Sequence, residues 1–333
     1  MNGASDRPRR FLVAPDSFKG TISAPEVARA IAAGLADAGA EADLCPVADG
    51  GEGTAAALRA ALGGEERRAP ARDPLGRPLE ATLTLLDDGR TAVVDTAAAS
   101  GLPLVAATER DAEAASTYGT GELIGAAIDA GAATVILAAG GSATTDGGIG
   151  AIEALRERGG IGKATIEVLC DVRTPFEDAA RVFAPQKGAD PAAVERLGER
   201  LQRLAAELPR DPRGVPMTGC AGGLSGGLWA AFDAQLCPGA DYVFELLGLE
   251  PRLRAADAAI SGEGRIDSQS LEGKVVGRIA ELCACAGRDL YVLVGRDELD
   301  PAAIGELPIR SIQEAGTVEA LRAAAAEIGR GSV

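Results

Sequence analysis

The sequence predicts an α/β protein of two domains, one of which is built on an open, mostly parallel sheet. Short apolar runs alternate with amphipathic helical patterns at both ends of the chain, which is typical of parallel strands joined by helices. The chain has 333 residues, enough for about two domains at roughly 150 residues each. Because 47% of the residues are hydrophobic and only 3% aromatic, the core must consist mainly of Ala, Val, Leu and Ile.

The amino-terminal part predicts the order β-α-β-α. Residues 11–14 are an apolar run that ends at Pro15 and Asp16, so they predict a buried strand followed by a loop. Ser23 and Glu26 have the spacing of a capping box, which predicts that a helix begins there. Residues 44–47 predict a second strand, and residues 54–62 predict a second helix.

The middle of the chain predicts a different sheet. Apolar residues alternate with polar ones over 79–85, Asp87-Asp88-Gly89 supplies a turn, and residues 91–94 return, which indicates an antiparallel hairpin. Residues 121–130 predict a helix, 134–138 a strand, about 150 onwards a helix, and 166–170 a strand. A long amphipathic helix is predicted from Pro191 to the residue before Pro209.

From about residue 240 the parallel pattern resumes, with a strand at 258–260, a helix at 273–285 and a strand at 290–294. The simplest arrangement is one α/β domain built from residues 1–66 and 238–333, with a second α/β domain, 67–237, inserted into it. We expect a cleft between the two domains, and ligand-binding loops at the carboxyl ends of the parallel strands.

Composition excludes several functions. The chain has no histidine, so imidazole cannot serve as base, nucleophile or metal ligand. The net charge of -16 disfavours nucleic acid and anionic membrane as partners. The six cysteines form no C-x-x-C pair, and the amino terminus lacks an apolar signal core, so we expect reduced thiols and a cytoplasmic location.

The pattern D-G-G-x-G occurs twice, at residues 49–53 and 146–150, each time between a predicted strand and a predicted helix. Adjacent glycines let the backbone approach a phosphate at a helix amino terminus, and an aspartate fits there if Mg²⁺ bridges the two. The alternative is a tight turn whose aspartate caps the helix. Residues 140–146 extend the second copy into a loop of glycines and hydroxyls suited to holding phosphate.

Four further loops place a charge among small residues beside a predicted strand or helix end. They are 16–20, 185–188, 261–267 and 273–274. Each alone could be a solvated loop. Together they supply carboxylates for Mg²⁺ or for a base and cations for a moving phosphate, which are the groups that phosphoryl transfer needs.

Six ordered segments carry a family resemblance: they are VAPDSFKGTISA (13–24), PVADGGEGT (46–54), GTGELI (119–124), GGSATTDGG (140–148), PQKGA (185–189) and ISGEGRIDSQSLEGK (260–274). Over about residues 11–295 the chain closely resembles the bacterial glycerate kinase family of glyoxylate and glucarate breakdown. The resemblance implies a flavodoxin-like domain carrying an inserted domain, and ATP-dependent phosphorylation of D-glycerate, usually to 2-phosphoglycerate.

The resemblance also implies roles for the residues of the candidate site. Lys19, Lys187 and Lys274 are expected to hold phosphate or the glycerate carboxylate, and Asp267, with Asp16 as the alternative, to accept the hydroxyl proton. The expected Mg²⁺ or positioning carboxylates are Asp49, Glu52 and Asp146. ATP is expected at Lys19, Gly140, Gly141, Ser142, Thr144, Gly147, Gly148, Glu263 and Arg265.

Two other functions stay open: a kinase for another small hydroxy acid or polyol, and a catalytically inactive paralogue that binds a metabolite. We also consider a homodimer. The chain departs from the family's usual residues at Thr145, Thr174, Ala184 and 176–180, and it looks shortened between Gly150 and Ile166. A deletion that reached the cleft would alter substrate choice or activity.

Overall fold

Two β-sheets organise the chain, each in a unit of its own. The computed structural model describes residues 7–18, 20–271, 274–300, 304–305 and 307–331. Contacts divide it into unit 1, which comprises Met1–Asp49, Ala56–Ala61 and Ala240–Val333, and unit 2, which comprises Gly50–Ala55 and Leu62–Gly239.

The strands are β1 (Arg10–Val13), β2 (Glu41–Leu44), β3 (Glu65–Arg72), β4 (Pro78–Leu85), β5 (Thr91–Asp95), β6 (Thr134–Ala138), β7 (Thr165–Cys170), β8 (Gln235–Pro238), β9 (Ala258–Glu263), β10 (Asp289–Val294) and β11 (Ile309–Glu314). The α-helices are α1 (Ala24–Asp37), α2 (Thr54–Leu62), α3 (Ala97–Ser100), α4 (Tyr118–Asp129), α5 (Ile149–Glu157), α6 (Ala179–Phe183), α7 (Pro191–Glu207), α8 (Leu224–Phe232), α9 (Gly239–Leu246), α10 (Leu249–Ala255), α11 (Ser268–Leu271), α12 (Val275–Ala286) and α13 (Val318–Arg330). No described helix combines the length and the apolar composition needed to cross a membrane.

The sheet of unit 1 is parallel throughout, with the strand order β11-β10-β9-β1-β2. Counted along unit 1 alone, this is the order 2-1-3-4-5 of flavodoxin-like folds, as the family resemblance implied. β1 is an inner strand of this sheet, where Val13 pairs with Leu44 of β2 on one side and with Ile260 of β9 on the other. Its residues Phe11, Leu12 and Val13 are fully buried, which explains the uninterrupted apolar run.

Helix α1 covers one face of this sheet. Val27, Ile31 and Leu35 are fully buried, and they pack in one cluster with apolar residues of β1, β9 and α13. At its start, the backbone N–H of Ser23 donates to the carboxylate of Glu26 at 3.0 Å, as the capping-box spacing predicted.

The sheet of unit 2 is mixed, with the strand order β3-β4-β5-β6-β7-β8. The first three strands are antiparallel neighbours, and β5 to β8 run parallel. The predicted hairpin is thus confirmed as β4 and β5, in a sheet separate from that of β1. Helix α7 packs its Leu197, Leu201 and Leu204 against Phe176 in a smaller apolar cluster of the same unit.

One strand lies earlier than predicted, and three strands, β3, β8 and β11, were not predicted. β2 occupies Glu41–Leu44 instead of 44–47, because residues 41–44 are the ones in register with β1, while the apolar residues after them turn inward as a buried loop. β3 contains Pro70 and pairs with β4 alone, so a proline is tolerated at this sheet edge.

Candidate active site

Unit 1 contains a cavity of about 610 Å³ beside the carboxyl ends of its parallel strands. Asp16 follows β1, Glu263 ends β9, Gly295 follows β10 and Gly316 follows β11, and all four line the cavity. Asp49, on the loop after β2, joins them. This edge of an open parallel sheet is where such folds bind ligands.

The structure brings most of the charged residues predicted for this part of the chain into that cavity. It is lined by Asp16, Asp49, Glu263, Arg265, Asp267 and Lys274. Arg296, which sequence reasoning did not single out, lies in the same wall. Its position after β10, between a glycine and an aspartate, has the same loop character as the predicted segments and could have indicated it.

Backbone pairing fixes the loop that carries Arg265 and Asp267. The N–H of Gly295 donates to the carbonyl of Glu263 at 3.1 Å, and the N–H of Ile266 donates to the carbonyl of Arg296 at 3.0 Å. The loop after β9 is therefore bound to the loop after β10, which holds both charged residues at the sheet edge.

The two candidate proton acceptors have different surroundings. Asp16 is 6% exposed, and its carboxylate accepts the N–H of Ser17 at 2.6 Å. The side chain of Asp267 is 27% exposed, lies 3.6 Å from the guanidinium of Arg265 and accepts the N–H of Ser270 at 3.2 Å. Asp267 is the more accessible of the two to a ligand.

Lys274 is exposed and immediately precedes α12, where its ammonium and the unpaired N–H groups of the first helical turn present positive charge to the cavity. Lys19, the other lysine predicted for this region, lies outside the described residues. Its assignment to ATP stays a prediction.

Unit 2 contains a second cavity, of about 330 Å³. Among the residues that line it are Glu52, Gly140, Gly141, Ser142, Asp171 and Lys187. Gly140 and Gly141 follow β6 and Asp171 follows β7, so this cavity too lies beside the carboxyl ends of parallel strands. Five of these residues were predicted for the site, and Asp171 was not.

Lys187 is only 3% exposed. Its ammonium donates to Ser142 Oγ at 3.0 Å and to the backbone carbonyl of Thr144. Burial lowers the pKa of Lys187 to about 7, and the negative charge of Asp146 opposes this shift only in part. The described residues provide no carboxylate at ion-pair distance from this ammonium.

Asp146 has a structural role that the sequence did not separate from metal binding. It is 1% exposed, and its carboxylate accepts hydrogen bonds from the N–H and hydroxyl of Thr117 and from the N–H groups of Gly148 and Gly150. These four donors occupy both oxygens. Of the two roles expected from the sequence, Mg²⁺ ligand and positioning carboxylate, we propose the second for Asp146.

Three other residues predicted for ATP also lie away from the cavity wall: Thr144, Gly147 and Gly148. Thr144 is fully buried, and its hydroxyl has no hydrogen-bond partner among the described residues. Gly148 has φ +80° where α5 begins, and a Cβ on it would lie 3.0 Å from the Cα of Leu224. The glycines thus permit close packing of this loop rather than approach to a ligand.

Gly222 explains how the cavity is closed on one side. It has φ +69°, and a Cβ there would lie 2.0 Å from the carbonyl oxygen of Thr144, which also accepts the Lys187 hydrogen bond. Only glycine allows the segment Cys220–Gly223 to come this close to the loop after β6. No signal short of the fold could have indicated this residue.

The arrangement of the acidic side chains indicates which kind of metal site this protein could form. Among the described residues, no group of three or more Cys, Asp or Glu side chains is placed to hold a metal ion. In nucleotide sites, Mg²⁺ is commonly bound by one or two protein carboxylates together with substrate phosphates. The carboxylates of the unit 1 cavity suit an Mg²⁺ ion bound in that way better than one bound by protein ligands alone.

Fold and site together define a two-unit α/β protein whose charged loops at parallel strand ends suit small anionic ligands. The model of the glycerate kinase family matches residues 11–160 and 156–328. Glycerate 2-kinase of Escherichia coli K12 is 39% identical over 303 residues, covering 80% of each chain, and glycerate kinase of Bacillus subtilis 168 is 41% identical over 305 residues, covering 80% of this chain and 79% of its own. A crystal structure of a candidate glycerate kinase 2 from Salmonella typhimurium LT2 superposes with a TM-score of 0.84 at 34% identity and covers 98% of both chains. The chain belongs to the glycerate kinase family.

Proposed function

We propose that the protein is an ATP-dependent kinase that phosphorylates a hydroxyl of D-glycerate, with 2-phosphoglycerate as the favoured product. The observation that carries this proposal is the unit 1 cavity, where motif carboxylates and cations meet at the carboxyl edge of a flavodoxin-like sheet. Two relatives that are 39% and 41% identical to this chain are glycerate kinases by name. The sequence and the fold therefore point to one reaction class.

Cations and carboxylates have different roles in the proposed reaction. Lys274 and Arg265, with Lys19 as a further candidate, bind anionic groups of the substrates and balance the charge that develops on the transferred phosphoryl group. Lys187 binds an anionic group in unit 2. Phosphoryl transfer depends more on positioning and charge balance than on covalent chemistry by the protein, and these side chains supply both.

A carboxylate accepts the proton of the glycerate hydroxyl, because the chain has no histidine. We propose Asp267, whose carboxylate is the more exposed, with Asp16 as the alternative. The Arg265 guanidinium lies 3.6 Å from the carboxylate of Asp267 and helps to position it.

Mg²⁺ would neutralise charge on the nucleotide phosphates, and Asp49 is the proposed protein ligand in the unit 1 cavity. Glu52, the other proposed carboxylate, lines the unit 2 cavity. The protein's own contribution is to place these carboxylates on loops whose ends are fixed by strands.

The test is ATP turnover by the purified protein with D-glycerate, L-glycerate, glycerol and other small hydroxy acids as acceptors. We expect turnover with D-glycerate and Mg²⁺. Coupling the product directly to enolase identifies 2-phosphoglycerate, whereas 3-phosphoglycerate needs phosphoglycerate mutase in addition. Turnover only with another acceptor would replace D-glycerate as the substrate, and binding of D-glycerate without turnover would identify a metabolite-binding paralogue.

A further inference from the structure

Within the part of the chain that the structure describes, the buried ammonium of Lys187 has no carboxylate at ion-pair distance. Its hydrogen-bond partners, Ser142 Oγ and the Thr144 carbonyl, are neutral. The negative charge of Asp146 raises the pKa of Lys187, but the Asp146 carboxylate already accepts four hydrogen bonds from other groups. A charged group is costly to bury without a partner, and burial here lowers the pKa of Lys187 to about 7. Since Lys187 lines a cavity, a ligand can supply the missing anion.

The rest of the cavity wall indicates what kind of anion fits. Glu52 and Asp171 line the same cavity and are exposed. Two carboxylates beside one ammonium repel a ligand with several negative charges. They attract a ligand that pairs one carboxylate with hydroxyl groups, because hydroxyls donate hydrogen bonds that carboxylates accept.

Size supports the same ligand. The cavity measures about 330 Å³, against about 610 Å³ for the cavity of unit 1. Glycerate has a single carboxylate and two hydroxyls on a three-carbon chain, so it can place the carboxylate at Lys187 and Ser142, keep one hydroxyl near an acidic side chain of this cavity and leave the other hydroxyl for the proposed proton acceptor. A nucleoside triphosphate carries several negative charges, whereas the lining of this cavity offers Lys187 as its cation and two carboxylates.

We propose that the unit 2 cavity is the hydroxy-acid subsite, in which Lys187 and Ser142 bind the carboxylate of a small 2-hydroxy acid. The inference rests on the proposed kinase function and reassigns Gly140, Gly141 and Ser142 from ATP to the acceptor substrate. It makes the carboxylate a requirement for the substrate, so polyols without one are excluded.

The experiment measures the binding of D-glycerate alone and of MgADP alone by calorimetry, for the parent, Lys187→Met and Lys163→Met. Lys163 is the matched control, because it is a lysine of the same unit that lies exposed in the turn between α5 and β7. A charge-assisted hydrogen bond lost from a buried site raises Kd by about 10-fold or more. We expect this increase for D-glycerate with Lys187→Met only, and MgADP affinity within about twofold of the parent.

A weakened MgADP affinity with unchanged D-glycerate affinity would overturn the inference and assign the cavity to the nucleotide. Unchanged affinity for both ligands would overturn it as well and leave Lys187 a packing residue. If Lys187→Met does not fold, two other measurements still test the inference. Ser142→Ala should lower the affinity for D-glycerate and leave that for MgADP unchanged. The parent protein should bind D-glycerate but not glycerol.

These outcomes are separable from failure of the proposed function. A parent protein that phosphorylates D-glycerate, together with a Lys187→Met variant of normal D-glycerate affinity and KM, refutes the subsite alone. A parent without kinase activity that still binds D-glycerate through Lys187 refutes the activity alone.

Discussion

At the scale of single residues, the proton acceptor is the sharpest question. Asp16 is almost buried and tied to the N–H of Ser17, whereas Asp267 is more exposed and lies beside Arg265. Because the transition state of phosphoryl transfer is loose, the hydroxyl proton leaves late, and the position of the acceptor matters more than its base strength.

Asp267→Asn should lower kcat by about 10²- to 10⁴-fold, because it keeps the shape of the side chain and removes its basicity. The KM for ATP should change little. Steady-state kinetics with D-glycerate checks this, with Asp16→Asn as the companion variant. Loss of activity in Asp16→Asn with kcat retained in Asp267→Asn would reverse the two roles, and full activity in both would mean that no side chain is needed to take the proton.

The two D-G-G-x-G copies show where residue-level reasoning stops. Asp49 and Asp146 have the same neighbours in sequence, yet Asp49 lines a cavity and Asp146 is enclosed. The difference comes from Thr117, which is 29 residues away and gives Asp146 two of its four donors. A local motif cannot contain that information, so the sequence correctly predicted a loop with an acidic residue and could not predict which copy faces a ligand.

At the scale of elements, Asp95 connects the end of β5 to the start of α2. Its carboxylate accepts the N–H groups of Gly53 at 2.9 Å and Ala55 at 3.1 Å, and so fixes the loop that carries Glu52. Burial raises the pKa of Asp95 to about 6, the two N–H donors oppose this shift, and the charge of Glu52 adds to it. Sequence reasoning missed this residue, since an aspartate that ends a strand resembles any loop residue.

This shift predicts a pH dependence of stability. A carboxyl whose pKa is higher in the folded than in the unfolded state binds its proton more tightly when folded, so its contribution falls as pH rises from about 4 to about 6. The free energy of unfolding of the parent, minus that of Asp95→Asn, should therefore decrease by about 1 to 3 kcal/mol over that range. Urea titrations at pH steps from 4 to 7 measure this difference.

Asp129→Asn is the control, since Asp129 is 72% exposed and its ion pair with Arg158 lies at the surface, where such pairs contribute little to stability. Its difference curve should stay flat by comparison. If the free energies of unfolding of the parent and Asp95→Asn change with pH in parallel, the pKa of Asp95 does not differ between the folded and unfolded states, and the prediction is wrong.

The elements that the sequence predicted well are those with one dominant local signal. The capping box of α1, the leucine stripe of α7 and the apolar runs of β1, β6 and β10 all have such a signal. β2 was misplaced because its exposed Glu41 and half-buried Asp43 suit an edge strand, whereas the more apolar residues beside them are needed inside a loop. β11 and α13 were not predicted, since all six residues of β11 are only half-buried or exposed and give no clear period.

At the scale of the whole molecule, several departures from the family's usual residues fall in packing positions, while Thr174 is half-buried. Thr145, Phe176 and Ala184 are completely buried, and none of them lines either cavity. The shortened connection after α5, residues 158–164, lies outside both cavity walls as well. This supports retained chemistry, while the predicted cleft between the domains stays a prediction.

The thiols provide a test of packing throughout the molecule. Cys285 is exposed and Cys237 half-buried, whereas Cys45, Cys170, Cys220 and Cys283 are buried, two in each unit. Burial raises the pKa of Cys45 to about 11 and that of Cys283 to about 12, so these thiols are also poor nucleophiles in the folded state. A thiol reagent at neutral pH should modify Cys285 rapidly, Cys237 slowly and the other four only in denaturant.

Mass spectrometry of the labelled peptides identifies the sites and their order. Rapid modification of the four buried thiols in buffer alone, at the rate of Cys285, would contradict the packing of both units.

The strand order of unit 1 also has a consequence for synthesis on the ribosome. β1 needs β9 as a neighbour, and β9 begins at Ala258, more than 200 residues after β2 ends at Leu44. At about 5 to 20 residues per second, the nascent β1-α1-β2 segment waits roughly 10 to 40 s with its apolar faces uncovered. Unit 2, whose residues all emerge in that interval, can fold first. We therefore expect the amino-terminal segment to be the part of the nascent chain that a ribosome-associated chaperone holds.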